Sequence, residues 1–185
     1  NILGGVLQAD SGKIVIDGEE RTFLSPVDSL DAGIGFIHQE LNLINDLTIY
    51  ENMFITHLQR KGAFLDAKTM QEKTAELFAK MNITLDPRTM VRELDASYKQ
   101  IIEIARALLM QATIIIMDEP TTSLTEVEID RVFTLMRTLK SEGVSIIFIS
   151  HKLNEVLTIC DSFTVLRDGC VVKTGRTQGE TELSL

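Results

Sequence analysis

Apolar and polar residues alternate through "GKIVIDGEE" between Gly12 and Gly18, the pattern of a half-exposed strand, and Asp17-Gly18 is a hairpin turn signal. The chain therefore opens on β structure. After Gly33, "AGIGFIHQE" contains a short unbroken apolar run, of the length expected for a strand buried on both faces, and it stops at His38-Gln39. From Thr48 to Met110 the spacing becomes helical. Asp66 is placed to cap a helix carrying Met70, Leu77, Phe78 and Met81 on one face, and "DPRT" around Pro87 breaks it. Ser97 followed by Gln100 has capping-box form and opens a second helix with Ile101, Ala105, Leu108 and Leu109 in one stripe.

After Met110, strand and helix alternate. "TIIIM" is followed by a helix from Thr125 to about Ser141, opened by the Thr125/Glu128 pair and stopped at Gly143, and then by "SIIFIS". A short helix and a hairpin turning at Arg167-Asp168-Gly169 close the chain. Apolar runs separated by amphipathic helices imply crossover units, so the predicted fold class is α/β: a mainly parallel sheet with an antiparallel β edge and an inserted helical subdomain. The sequence has no internal repeat and no low-complexity segment.

Composition narrows this picture without changing it. The 185 residues, 44% of them hydrophobic, suffice for one core with room for an attached subdomain. A formal charge of -9 and the lack of any Lys/Arg run argue against a nucleic-acid surface, which needs clustered cations. Two cysteines, Cys160 and Cys170, are too few for a disulfide framework and point to a reduced intracellular chain. No stretch approaches the roughly 18 to 20 apolar residues of a membrane helix, so a soluble protein is expected. The start, "NILGGVLQADSG", has no charged leader or cleavage site, and its apolar pair before Gly4-Gly5 suggests a chain that continues upstream.

Three of the apolar runs end in polar residues: His38-Gln39, Asp118-Glu119 and Ser150-His151. In an open parallel sheet, ligands bind outside the carboxyl ends of the strands, so these groups are candidates for one shared site. Each has a bland alternative. Asp118 alone is more often a helix cap, His151 a satisfied histidine near a helix start, and Gln39 a loop residue. Glu119 has no helix to cap, and Pro120 fixes the backbone after it. The chemistry that fits the set is phosphoryl transfer from a nucleotide to water. Asp118 would hold Mg²⁺ through water, Glu119 would orient or deprotonate the attacking water, His151 would donate to the γ-phosphate, and Gln39 would reach metal and water. Such a site also needs a cradle of the form G-x-x-x-x-G-K-[ST], which none of the 185 residues supplies.

These residues carry a resemblance to ABC-transporter ATPases. "IIIMDEPTTSLT" resembles their Walker B segment and D-loop (Ser123, Leu124, Thr125), "FIHQ" their Q-loop with Gln39, and "FISH" their switch histidine at His151. "ELDASYKQIIEIARALL" is similar to the signature segment, here Leu94, Asp95, Ala96, Ser97 and Tyr98, with its following helix. The resemblance runs from Asn1 to about Gly175. It implies a P-loop-NTPase-like core in two parts, 1–44 and 111–185, with residues 45–110 as the helical subdomain. "TIYENMFI", "ITLDP" and "IEIARAL" further resemble the ribose- and galactose-type sugar importers, and the retained His151 resembles the first of their two nucleotide-binding halves.

The resemblance implies ATP and Mg²⁺ as ligands, and as partners a second nucleotide-binding half, membrane-spanning permease subunits and, indirectly, an external solute-binding protein. It places the protein peripherally at the cytoplasmic face of the cell membrane, energising import of a small solute of the sugar class. Because the phosphate loop of this family lies just before the segment that "NILGGV" resembles, the chain alone is expected to be inactive and not to hold ATP tightly. Asp95 occupies the position of a phosphate-contacting serine. A carboxylate at about 4 Å from a γ-phosphate costs on the order of several kcal/mol, which predicts one competent and one weakened site; the alternative is that Asp95 simply caps its helix. The rival functions are a non-catalytic module supporting a partner's site and a non-transport ABC ATPase.

Overall fold

A computed structural model describes residues 1–61 and 64–182; residues 62–63 and 183–185, inside the second and third predicted segments, lie outside the described residues. The first hairpin forms where alternation and turn signal coincide. Strands β1 (Ile14–Ile16) and β2 (Glu19–Arg21) pair antiparallel with Ile16 opposite Glu19. Asp17 and Gly18 between them are both at positive φ, 52° and 81°, as a two-residue primed turn demands. Helix α1 (Pro26–Asp31) follows, capped by Ser25 and Asp28, with Pro26 at its first position. The apolar pattern alone did not reveal it.

The centre of the molecule is a three-stranded parallel sheet in the order β3 (Ile34–Ile37), β6 (Ile114–Asp118), β7 (Ser145–Ile149). Its middle strand holds Ile115 and Met117 with no exposure, consistent with a strand covered on both faces. Gly35 is required in β3, because a Cβ there would lie 2.9 Å from the Cβ of Ala107 on the helix packed over it. The antiparallel β structure consists of separate two-stranded ribbons rather than strands added to this sheet's edge: β1-β2, the short pair β4 (Arg60–Lys61) and β5 (Phe64–Leu65), and the closing hairpin β8 (Ser162–Arg167) and β9 (Cys170–Arg176).

Between β3 and β6 lie α2 (Ile49–Phe54), α3 (Ala67–Lys80) and α4 (Ala96–Leu109). Asp66 caps α3, accepting from the Thr69 amide at 3.1 Å, and Met70, Phe78 and Met81 are buried along its inner side. The expected Ser97/Gln100 capping box does not form. Asp95 caps α4, taking the Tyr98 amide at 2.8 Å, and Ser97 sits inside the first turn with its hydroxyl donating to Asp95. An ionised carboxylate wins the cap because it accepts more strongly than a hydroxyl and suits the positive end of the helix. After β6 come α5 (Glu126–Ser141), opened by Thr125 and Glu128 and followed by Gly143 at φ 92°, and α6 (Leu153–Ile159).

One apolar cluster joins these parts. It runs from Met53, Phe78 and Ile104 of the helical segment through Ile115 and Met117 to Val132 and Leu139 of α5. Full burial of each such side chain contributes about 1.5 to 3 kcal/mol, so the helical segment is fixed to the sheet by core packing rather than by a hinge of loops alone. Ile49, Met53 and Phe54 belong to this cluster.

Candidate functional site

Because β6 lies between two parallel neighbours, three chain exits open on one rim of the sheet. Ile37 is level with Met117, and Asp118 is level with Ile149. His38-Gln39, Asp118-Glu119 and Ser150-His151 therefore leave the sheet side by side. The structure brings together the residues that the strand-end pattern singled out.

Glu119 takes a left-handed conformation, φ 47°, which costs a non-glycine residue on the order of 1 to 3 kcal/mol. Its amide still donates to the Ile149 carbonyl at 2.9 Å, so the turn begins while the chain is tied to β7. Thr122 closes it from the other side, its hydroxyl donating to the Glu119 carbonyl at 3.1 Å and to Oε2 at 3.2 Å. The remaining carboxylate oxygen, Oε1, meets Nδ1 of His151 at 2.9 Å. A carboxylate can only accept, so Nδ1 carries the proton in this pair. For Nε2 to donate to a phosphate at the same time, the ring must be an imidazolium. The bond from His151 holds the Glu119 carboxyl below its usual range, against some loss of hydration and with help from Thr122 and Lys152.

Gln39 and Glu119 line one shallow cleft with Ser123, Leu124 and the first turns of α4, represented by Ala96 and Gln100. At ≈ 260 Å³ it falls below the roughly 300 to 1,000 Å³ of pockets that enclose a whole ligand, and suits part of one. Among the described residues no group of three or more His, Cys, Asp or Glu side chains could cage a metal. Mg²⁺ does not need such a cage. It is commonly held by one or two carboxylates, water and substrate phosphate, and exposed Asp118 beside Gln39 fits that mode.

The signature-like segment is built differently. Leu94 ends a 3-10 turn (Val91–Glu93), Asp95 caps α4, and Ala96, Ser97 and Tyr98 form the first turn. Asp95 accepts from the Tyr98 amide, the Ser97 hydroxyl at 2.7 Å and Arg131 Nη1 of α5 at 2.9 Å. Arg131 also donates to the Ser97 hydroxyl and lies 4.3 Å from the Tyr98 ring centroid. Burial pushes the Asp95 carboxyl up, but these donors outweigh it and its pKa is lowered. Thr125 caps α5, its amide and hydroxyl both donating to Glu128.

The strand-end pattern had no means of finding Thr122, Arg131 or Gln100. Arg131 lies 36 residues from Asp95, and the sequence offers Gln100 only as a capping partner for Ser97. The loop after Gln39 is also laced to the segment before Asp95. Val91 donates to the Leu47 carbonyl, Arg92 to that of Asn45, and Arg106 to that of Asn42, each at 3.0 to 3.1 Å. Buried Asn52 donates to the Ile44 carbonyl and accepts the Ile44 amide, which shapes this loop further. Glu103, paired with Arg106, has its pKa raised by burial despite that partner.

Residues 1–122 match the profile of the ABC transporter family. The galactose/methyl galactoside import ATP-binding protein MglA of Escherichia coli is 44% identical over 179 residues, 97% of this chain and 35% of that protein. Its namesake from Yersinia pestis is 42% identical with the same coverage. The chain thus spans about 35% of the length of the curated relatives it matches. Among solved structures, an ATP-binding cassette of an ABC transporter in its ADP conformation superposes with a TM-score of 0.81 at 24% identity, over 95% of this chain and 73% of that one. A dimeric post-hydrolysis cassette bound to ADP and Pi gives 0.72 at 23% identity, over 97% and 79%. At such identities the likeness is one of fold, and it is the fold that the resemblance to ABC-transporter ATPases implied.

Proposed function

From the premise that the chain belongs to the ABC transporter family, we propose that it forms most of one nucleotide-binding unit of an importer ATPase, binding ATP with Mg²⁺ and hydrolysing it to ADP and phosphate. The observation that carries this reading is the 2.9 Å pairing of Glu119 with His151 at the rim that Gln39 and Asp118 share. Glu119, ionised and held outward by its turn, takes the proton of a water attacking the terminal phosphorus. His151, as imidazolium, keeps one nitrogen on Glu119 and offers the other to a phosphate oxygen. Asp118 and Gln39 would hold Mg²⁺, which when bound neutralises phosphate charge.

The names of the relatives support a sugar as the cargo; membrane-spanning subunits and an external solute-binding protein would then select it. No helix among the described residues is long and apolar enough to cross a membrane, which suits a peripheral position at the cytoplasmic face. A cleft of ≈ 300 Å³ lined by Leu30, Met53, Phe54 and Met110, with Asp31 and Lys73 at its edge, is where a permease segment would dock. Met53 and Phe54 of α2 line it, although with Ile49 they serve the core first.

A second feature favours unequal sites. Asp95 stands where the resemblance places a phosphate-contacting serine, and it presents charge rather than a hydroxyl to a partner half's nucleotide. Glu119 and His151 serve a different nucleotide and stay competent. In the polypeptide from which these residues come, Glu119→Gln should lower MgATP turnover by about 10² to 10⁴-fold with ATP binding retained; unchanged turnover would overturn the assignment. The 185-residue chain alone, with no G-x-x-x-x-G-K-[ST] stretch, should bind ATP weakly in a calorimetric titration, and micromolar affinity would contradict that.

A further inference from the structure

Next to the Glu119–His151 contact in sequence lies a polar cluster centred on two buried residues, which touches the proposed chemistry only through the charge of Lys152 near Glu119. Thr121 is 1% exposed and Glu155, in the first turn of α6, is 6% exposed. The Thr121 hydroxyl donates to Glu155 Oε2 at 2.5 Å, and the Ser150 hydroxyl reaches the same oxygen at 3.4 Å. Lys152 Nζ lies 3.0 Å from Glu155 Oε1 and donates to the Thr121 carbonyl at 3.3 Å. The Ser150 hydroxyl also accepts the Lys152 amide at 3.1 Å. Thr121 follows Glu119 by two residues with rigid Pro120 between, and Ser150 and Lys152 flank His151. One carboxylate therefore binds both loops.

Two physical points give this cluster a role beyond stability. The Glu119 and His151 side chains are 31% and 64% exposed, and a pair that open to solvent is too weak to hold two loops in register. A buried carboxylate, by contrast, pays a desolvation penalty comparable to its attraction for a partner, so such clusters add little net stability over an apolar replacement. What a fully satisfied buried network does supply is a single geometry, because each lost bond strands a polar group at low dielectric. We propose that Glu155, through Thr121 and Lys152, is a positioning residue that makes the Glu119 turn and the His151 loop one body, keeping base and histidine in contact. This rests on the reading of Glu119 and His151 as a working pair.

The test is the ¹⁵N spectrum of the His151 imidazole in the chain, which reports which ring nitrogen carries the proton. The wild type should show the Nδ1-protonated ring that the Glu119 bond requires. Glu155→Ala and the near-isosteric Thr121→Val should lose that signature, while Thr121→Ser, which keeps the hydroxyl, should retain it. Leu139→Ala, a destabilising core change near the end of α5, should also retain it. In the intact polypeptide, Thr121→Val should lower kcat about 10- to 100-fold with KM nearly unchanged, and Thr121→Ser should restore it. A wild-type signature in both Glu155→Ala and Thr121→Val, or unaltered kcat in Thr121→Val, overturns the positioning role alone. An Nδ1-unprotonated ring in the wild type overturns the Glu119–His151 pair itself, and the positioning role with it.

Discussion

Glu119 and Asp95 are both acidic residues at the start of a turn, yet the molecule treats them in opposite ways. Glu119 sits in a left-handed turn at a strand end, its Oε1 shared with one exposed histidine. Asp95 sits at a helix start with three donors converging on it, one of them a guanidinium from another helix. The first arrangement carries local strain and keeps a partly exposed carboxylate at the rim, held by His151 and the Thr122 hydroxyl. The second ties the carboxylate to the helix start and to Arg131 while its side chain stays partly exposed. A carboxylate near a phosphate site is thus informative only once its donors are known.

Replacing Asp95 sharpens this contrast most. Asp95→Ser in the intact polypeptide restores a hydroxyl at the helix start and removes a charge that would face the partner's nucleotide. ATP turnover, or ATP-driven pairing of the two halves, should rise several-fold, roughly 1 kcal/mol in the rate-limiting barrier. No change in either would mean that Arg131 already neutralises Asp95 fully, and that the two sites are equal.

A smaller effect separates the two carboxylates by pH. Both have lowered pKa values in the folded chain, from ordinary values of 4.5 for Glu119 and 3.8 for Asp95. Each therefore contributes stability above its ordinary value and loses it as pH falls toward the lowered one. Denaturation midpoints measured from about pH 6 to 3 should fall less steeply for Glu119→Gln than for the wild type, starting just below 4.5. Asp95→Asn should flatten only the lower part. Identical acid profiles for wild type and Glu119→Gln would show that the His151 bond is not formed in solution.

The parts of this picture that were legible beforehand share a short range. Apolar runs such as Ile114 to Met117 mark central strands, and caps such as Asp66 and Thr125 act within three residues, so both can be seen in one stretch of chain. The convergence of three strand ends followed from the parallel topology, which the alternation of strands and helices implies. The cap at Asp95 has a rival at Ser97 because both residue types suit it; the carboxylate is the stronger acceptor, and the added bond from Arg131, distant in sequence, has no local sign. Helix α1 had its signals in Ser25, Pro26 and Asp28 but too little apolar periodicity to stand out. Pairs such as Thr121 with Glu155, 34 residues apart, leave no local trace.

The central claim is that Glu119 and His151 act together on one phosphate at the rim of the sheet. A double-mutant cycle in the intact polypeptide, comparing MgATP turnover of Glu119→Gln, His151→Ala and the two combined, tests it most directly. Groups that work as a unit are non-additive, so the double variant should be scarcely slower than the slower single variant. Losses that multiply would place the two residues in independent roles and contradict the account.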